Sequence, residues 1–217
     1  MLNLVFFSHQ FPLSHSHPFL LPSTGTAQAT RLGAAHVAAH QVALSVWLVV
    51  ALMLDSNAVG AQILASRHYC PQRPPSATLR SLLRYQAKLA VGQGLLATVL
   101  VLTVLVPLVP ATMSTDAAVR FHLQQLLPTV AGQQLLVSCT LVTEALAATT
   151  RQFTFLAVGT IAATVLSIWQ LQGPTTVTGL WNRGIVTLFV GRWLTASLAL
   201  WRALRVSPNK ASPRPST

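Results

Sequence analysis

Residues Leu89 to Val109 read LAVGQGLLATVLVLTVLVPLV, 21 residues without a charge. A helix needs about 20 mainly apolar residues to cross a hydrocarbon core of about 30 Å, so this stretch predicts a transmembrane helix. Four further windows meet the same requirement. They are Ala34 to Leu54, running past the polar step Asp55-Ser56-Asn57 to Ala65; Leu123 to Ala148, with the acid Glu144; Phe153 to Leu171, uncharged; and Val177 to Leu200, with Arg183 and Arg192. Pro107 and Pro110 are expected to close the second span, and Gly173-Pro174 to separate the fourth from the fifth. The fold class expected is all-α, a polytopic membrane protein of about five transmembrane helices.

Composition agrees. Of 217 residues, 52% are hydrophobic and 8% charged, where a soluble domain carries about 25% charged residues. That excludes an ordinary soluble enzyme, and also disorder, which needs low hydrophobicity with high charge. The excess of 14 Lys+Arg over 3 Asp+Glu does not indicate a nucleic-acid partner, because such proteins are not this apolar; the expected surroundings are the lipid bilayer. No Gly-rich phosphate loop, nucleophile elbow or clustered metal ligands occur in the sequence, so neither an enzyme, a metal site nor a cofactor is expected. Cys70 and Cys139 lack metal spacing and are too few for a disulfide scaffold.

Charge placement orients the helices. Arg67, Arg73, Arg80, Arg84 and Lys88 join the first two spans, Arg151 joins the third and fourth, and Arg202, Arg205, Lys210 and Arg214 follow the fifth. With alternating helices these ten fall on one side, against Arg31 and Arg120, with Asp116, on the other. The bias places the 67–88 connection, Arg151 and the tail on the cytoplasmic (or stromal) side. Three parts result: residues 1–33, an unstructured leader or a stretch foreign to the protein; 34–206, the membrane region; and 207–217, a basic cytoplasmic-side tail. In the leader His15-x-His17 is the only metal-like tract, and nothing near it offers another ligand.

With three acids in the chain, each can be weighed. Asp116 is read as a solvated loop acid. Asp55 and Glu144 lie in apolar helices, where a charge costs about 2.5–3.5 kcal/mol on insertion scales. Each therefore needs a partner, a wet cavity or neutralisation by a proton or cation, which makes both candidates for ion coupling or gating. Depth leaves a second reading open. At about 1.5 Å per residue, Asp55 lies about 31 Å along from Ala34 and Glu144 about 31 Å from Leu123, so both also fit an interfacial position, Glu144 near Arg151. Gln62 and Gln133 are candidates for substrate contact or for interhelical hydrogen bonding. Arg192 sits near the middle of the last span and needs an internal partner; Arg183 snorkels to the outer interface. Gly92-x-Gly94, with Ala90 and Ala97, predicts close helix packing. Cys139 is read as a small hydrophobe.

Four segments in order resemble the MATE (multidrug and toxic compound extrusion) transporters, closest to the DNA-damage-inducible branch that includes plastid-type plant members. Ala38-Ala39-His40-Gln41-Val42, Val46-Trp47-Leu48 and Leu54-Asp55-Ser56-Asn57-Ala58-Val59-Gly60-Ala61-Gln62-Ile63-Leu64-Ala65 are similar to the family's A-A-H-Q-x-x-x-x-x-W and D-A-x-A-x-x-G-Q-A-L-x-A helix. Ser114-Thr115-Asp116-Ala117-Ala118-Val119 resembles its F-(S/T)-x-D-x-x-V, Gln133 to Ala157 its Q-P…D-G…D-F-x-Y-L-A helix, and Thr178 to Ile185 its G-x-x-G-x-W-x-G-L. Departures are Gln133-Gln134 for Q-P, Glu144 placed on the acid by a one-residue insertion, Arg151-Gln152-Phe153 for D-F, and Trp181-Asn182-Arg183-Gly184, one residue longer than W-x-G.

The likeness covers residues 36–202, the last five helices of a twelve-helix family, with no counterpart of the N-lobe. It implies cation-coupled antiport, with H⁺ or Na⁺ as the coupling ion, exporting small organic compounds by rocking two lobes. The helix order that it implies sets Glu144 beside Arg192 as the internal partner. Half of the two-lobe cavity has no counterpart, so transport would need a missing N-lobe chain or a second copy as partner, and nothing in the sequence points to either. The membranes in view are the plastid envelope, or else the plasma or vacuolar membrane. The alternative expectation is a partial product without transport activity, with at most a structural or assembly role in the membrane.

Overall fold

A computed structural model describes residues 20–70, 75–173 and 176–205, with side chains from residue 25 onward. Most of the expected leader and the tail 207–217 lie outside the described residues. All regular structure described is helical: α1 (Leu20–Leu32), α2 (Ala34–His68), α3 (Ala77–Leu100), a π-helical turn (Val101–Leu105), α4 (Val106–Met113), α5 (Ala117–Ala148), α6 (Phe153–Gln170), α7 (Val177–Leu180), a second π-helical turn (Trp181–Ile185) and α8 (Val186–Arg205). Five continuous helices, Ala34–His68, Ala77–Met113, Ala117–Ala148, Phe153–Gln170 and Val177–Arg205, are long and apolar enough to cross a membrane. The chain is an all-α, multi-pass integral membrane protein.

Three boundaries differ from expectation. The second span begins at Ala77, not Leu89, because Ser76 caps it by accepting from Leu79 N–H at 3.1 Å. Arg80, Arg84 and Lys88 therefore sit on a helix and not in a connection. Nor does Pro107 end that helix. Proline removes one i→i−4 bond and crowds the preceding turn; here the π-turn Val101–Leu105 lies just before it, and the helix continues to Met113 with Pro110 inside it. Third, the described part of the expected unstructured leader is helical. In α1, Ala29 is fully buried, and Gln41 Nε2 donates to Thr26 Oγ1 at 3.1 Å, tying α1 to α2.

Helix α5 is the axis. Over half of its most apolar window is buried (56%), against a third or less for the other spans, and it packs on α2, α3 and α8. Asp116 caps it, Oδ1 accepting from Ala118 N–H at 2.8 Å. Apolar burial gives little drive between helices in lipid, so close approach and polar contacts hold the bundle. Gly94 supplies one approach: a Cβ there would lie 2.7 Å from Leu135 Cα. Ala90 and Ala97 are buried on the same face, while Gly92 is exposed with open space beside it, so one glycine of the pair serves the packing. Ser138 Oγ donates to the Ala90 carbonyl (2.8 Å), Thr98 Oγ1 to that of Ala131 (3.0 Å), and Thr140 Oγ1 to that of Phe189 (3.3 Å). Ser167 Oγ donates to the Gly184 carbonyl. Leu96, Met53, Val158, Val165 and Trp169 are large apolar side chains left exposed on the spanning helices.

Candidate functional site

The central feature is an ion pair inside the bundle. Glu144 lies one turn before the end of α5, and Arg192 lies on α8, which packs beside it. Arg192 Nε donates to Glu144 Oε1 at 2.8 Å, and a terminal guanidinium nitrogen donates to Oε2 at 2.6 Å. This is the fork-on-carboxylate geometry that gives arginine its strongest pairing. The guanidinium also lies 5.2 Å from the centre of the Phe189 ring, one turn before it, a cation–π contact. About a fifth of each side chain remains open, 22% for Arg192 and 21% for Glu144, so the pair is not sealed.

Asp55 completes the cluster. It is half-buried on α2 and interacts electrostatically with both Glu144 and Arg192. Among the described residues it has no hydrogen-bond or ion-pair partner of its own. Two carboxylates and one guanidinium leave the cluster one positive charge short of neutral. Its depth follows from the basic anchors: at about 1.5 Å per residue, Glu144 is about 10 Å along the chain from Arg151, Arg192 about 15 Å from Arg202, and Asp55 about 18 Å from Arg67. These spacings put the cluster within the spanning segments, away from the basic residues at their ends.

A second polar group lies near the opposite ends of the same helices, at Trp181. Trp181 is fully buried at the π-turn that opens α8. Its indole N–H donates to His40 Nδ1 on α2 at 3.1 Å, with the rings edge to face at 5.9 Å. Gln133 Nε2 on α5 donates to the Trp181 carbonyl at 3.3 Å. Three helices therefore meet at one tryptophan. His40 Nε2 and Gln133 Oε1 are buried there without a hydrogen-bond partner among the described residues.

Of the residues singled out from sequence, Glu144 and Arg192 are in direct contact, Asp55 is beside them, and Gln133 belongs to the second group. Gln62 stands apart: it is half-buried two turns beyond Asp55 on α2 and makes no hydrogen bond among the described residues. Trp181 and His40 were missed as site residues, because 141 positions separate them and neither has a local signal of pairing. No group of three or more potential metal ligands occurs among the described residues. Cys70 is exposed and Cys139 half-buried, both unpaired. Comparison with protein-family models, with curated proteins and with solved structures finds no match for the chain.

Proposed function

We propose that this helical unit is one lobe of a cation-coupled transporter of the MATE type, exporting small organic compounds in exchange for H⁺ or Na⁺. The observation that carries the reading is the intramembrane cluster Asp55–Glu144–Arg192. An unneutralised charge in hydrocarbon is costly, so a cluster one positive charge short favours uptake of one monovalent cation. Glu144 is held at both oxygens by Arg192, and Asp55 is the carboxylate left to load. The family likeness gains support from convergence. Its first segment carries Asp55, close enough to interact electrostatically with Glu144 of its third, and meets its fourth at His40 and Trp181. The extra residue between Trp181 and Gly184 falls at a π-turn, the form in which a helix absorbs one inserted residue.

Rocking transport uses two lobes around a site near mid-membrane. The proposed partner is accordingly the complementary lobe; Gln133 and the His40–Trp181 group are buried and act as interhelical contacts within this one. Likeness to the plastid-type branch points to a plastid envelope, with the plasma and vacuolar membranes as the alternatives that a fluorescent fusion separates.

A second reading takes the bidentate pair as a structural clasp in a lobe that does not transport. Proteoliposomes containing the chain, alone and with a MATE N-lobe, decide between the two. With an imposed H⁺ or Na⁺ gradient, the transport reading expects gradient-driven movement of a fluorescent organic dye that is lost in Asp55→Asn. Equal dye movement with and without a gradient, under both compositions, supports the clasp.

A further inference from the structure

The cytoplasmic start of α3 presents Ser81, Arg84, Tyr85 and Lys88 at spacings of three, one and three residues, which puts all four on one helix face. Together they line an open groove of about 320 Å³. Tyr85 is 60% exposed, and Arg84 and Lys88 are exposed on either side of it. The only Arg84 hydrogen bond among the described residues is within its own helix, Nε to the Arg80 carbonyl at 3.4 Å, and the one ion pair described is Glu144–Arg192. No acid lies between Asp55 and Asp116 in the sequence, so no neighbouring carboxylate along this stretch competes for these cations.

Position identifies the occupant. The uncharged stretch begins at Leu89, directly after Lys88, and the Ser138–Ala90 hydrogen bond anchors the helix to the bundle two residues further on. The groove therefore lies where helix passes from headgroups into hydrocarbon. Amphipathic aromatic rings favour that level, and long basic side chains there lay their stems on lipid and lift their charges to the phosphates. The cytoplasmic leaflet is the one that carries anionic lipid.

We propose that this face of α3 binds the phosphate headgroup of an anionic phospholipid in the cytoplasmic leaflet. Arg84 and Lys88 pair with the phosphate, Ser81 Oγ donates to an oxygen, and the acyl chains run down the α3 surface past Val91 and Leu95. The site is independent of the transport reading.

The test uses the full chain in nanodiscs of phosphatidylcholine with a minority of phosphatidylglycerol, reading retained lipid by native mass spectrometry. Arg84→Gln/Lys88→Gln is expected to weaken phosphatidylglycerol retention by about 30-fold, from about 1 kcal/mol for each basic residue near an anionic surface. The outer-side pair Arg31→Gln/Arg120→Gln is expected to leave retention unchanged. Retention within threefold of wild type in the α3 variant overturns the proposal, as does an equal loss in the outer variant, which would mean attraction to net charge alone. Inorganic phosphate displacing the lipid at equal concentration also overturns it, by assigning the groove to a free oxyanion. All four substituted residues are exposed, and unchanged melting of each variant confirms that lost retention is not lost folding.

Discussion

Removing the Glu144 carboxylate should destabilise the bundle by less than the ion pair alone implies, because Asp55 is present. At an effective dielectric of about 20, charges about 4 Å apart attract by about 4 kcal/mol. Asp55 makes no hydrogen bond or ion pair with either partner among the described residues, and a charge taken at about twice that separation interacts by about 2 kcal/mol. Glu144→Ala loses the first attraction but also relieves the repulsion between Glu144 and Asp55, of the second size. The net cost is about 2 kcal/mol, below the 3–5 kcal/mol range for breaking an isolated buried pair. Asp55→Asn loses an attraction to Arg192 and a repulsion from Glu144 of similar size, so it should be near neutral for stability. The double variant loses both attractions and gains one relief, about 4 kcal/mol in all. The cycle therefore predicts a non-additivity of about 2 kcal/mol. Equilibrium unfolding in mixed micelles, followed by tryptophan fluorescence, measures it. Additive effects within about 0.5 kcal/mol would refute the three-charge cluster.

Exchanging the charges, Glu144→Arg with Arg192→Glu, should restore the membrane abundance that Glu144→Ala loses, read by immunoblot; absence of rescue contradicts the pairing. Gly94→Val should cost about 1–3 kcal/mol by overpacking α3 against Leu135, whereas Gly92→Ala should change melting little. Trp181→Phe removes one interhelical hydrogen bond and should cost about 0.6–1.7 kcal/mol, measured by the same unfolding assay. A membrane-impermeant maleimide should label exposed Cys70 from the cytoplasmic side only and leave Cys139 unlabelled in intact vesicles; labelling of Cys70 from the outer side contradicts the assigned topology.

The spans were legible because length and apolarity are what a bilayer demands of a helix, and the scarcity of charge made each exception visible. Their ends were less so. Ser76 caps α3 well before Leu89, and a cap carries no hydropathy. The π-turn before Pro107 depends on local backbone adjustment that a proline-as-terminator rule does not anticipate. Arg192 announced its need for an acid, and the helix order implied by the resemblance pointed to Glu144; the acid count alone left Asp55 open as well. The His40–Trp181 bond did not announce itself, since neither residue is costly to bury alone. Arg151, with φ of 59°, ends α5 in a left-handed conformation usually held by glycine, another feature with no trace in composition.

In the proposed transporter Asp55 loads the cation while Glu144 is held as the counter-ion of Arg192. Difference infrared spectroscopy on reconstituted chain, stepped from alkaline to acidic pH, reports carboxyl protonation directly. With exposed Asp116 replaced by Asn in every sample, the expected protonated-carboxyl band grows with acid, disappears in Asp55→Asn, and weakens in Glu144→Gln, where Asp55 becomes the counter-ion of Arg192. A band that survives Asp55→Asn and vanishes in Glu144→Gln would contradict that assignment.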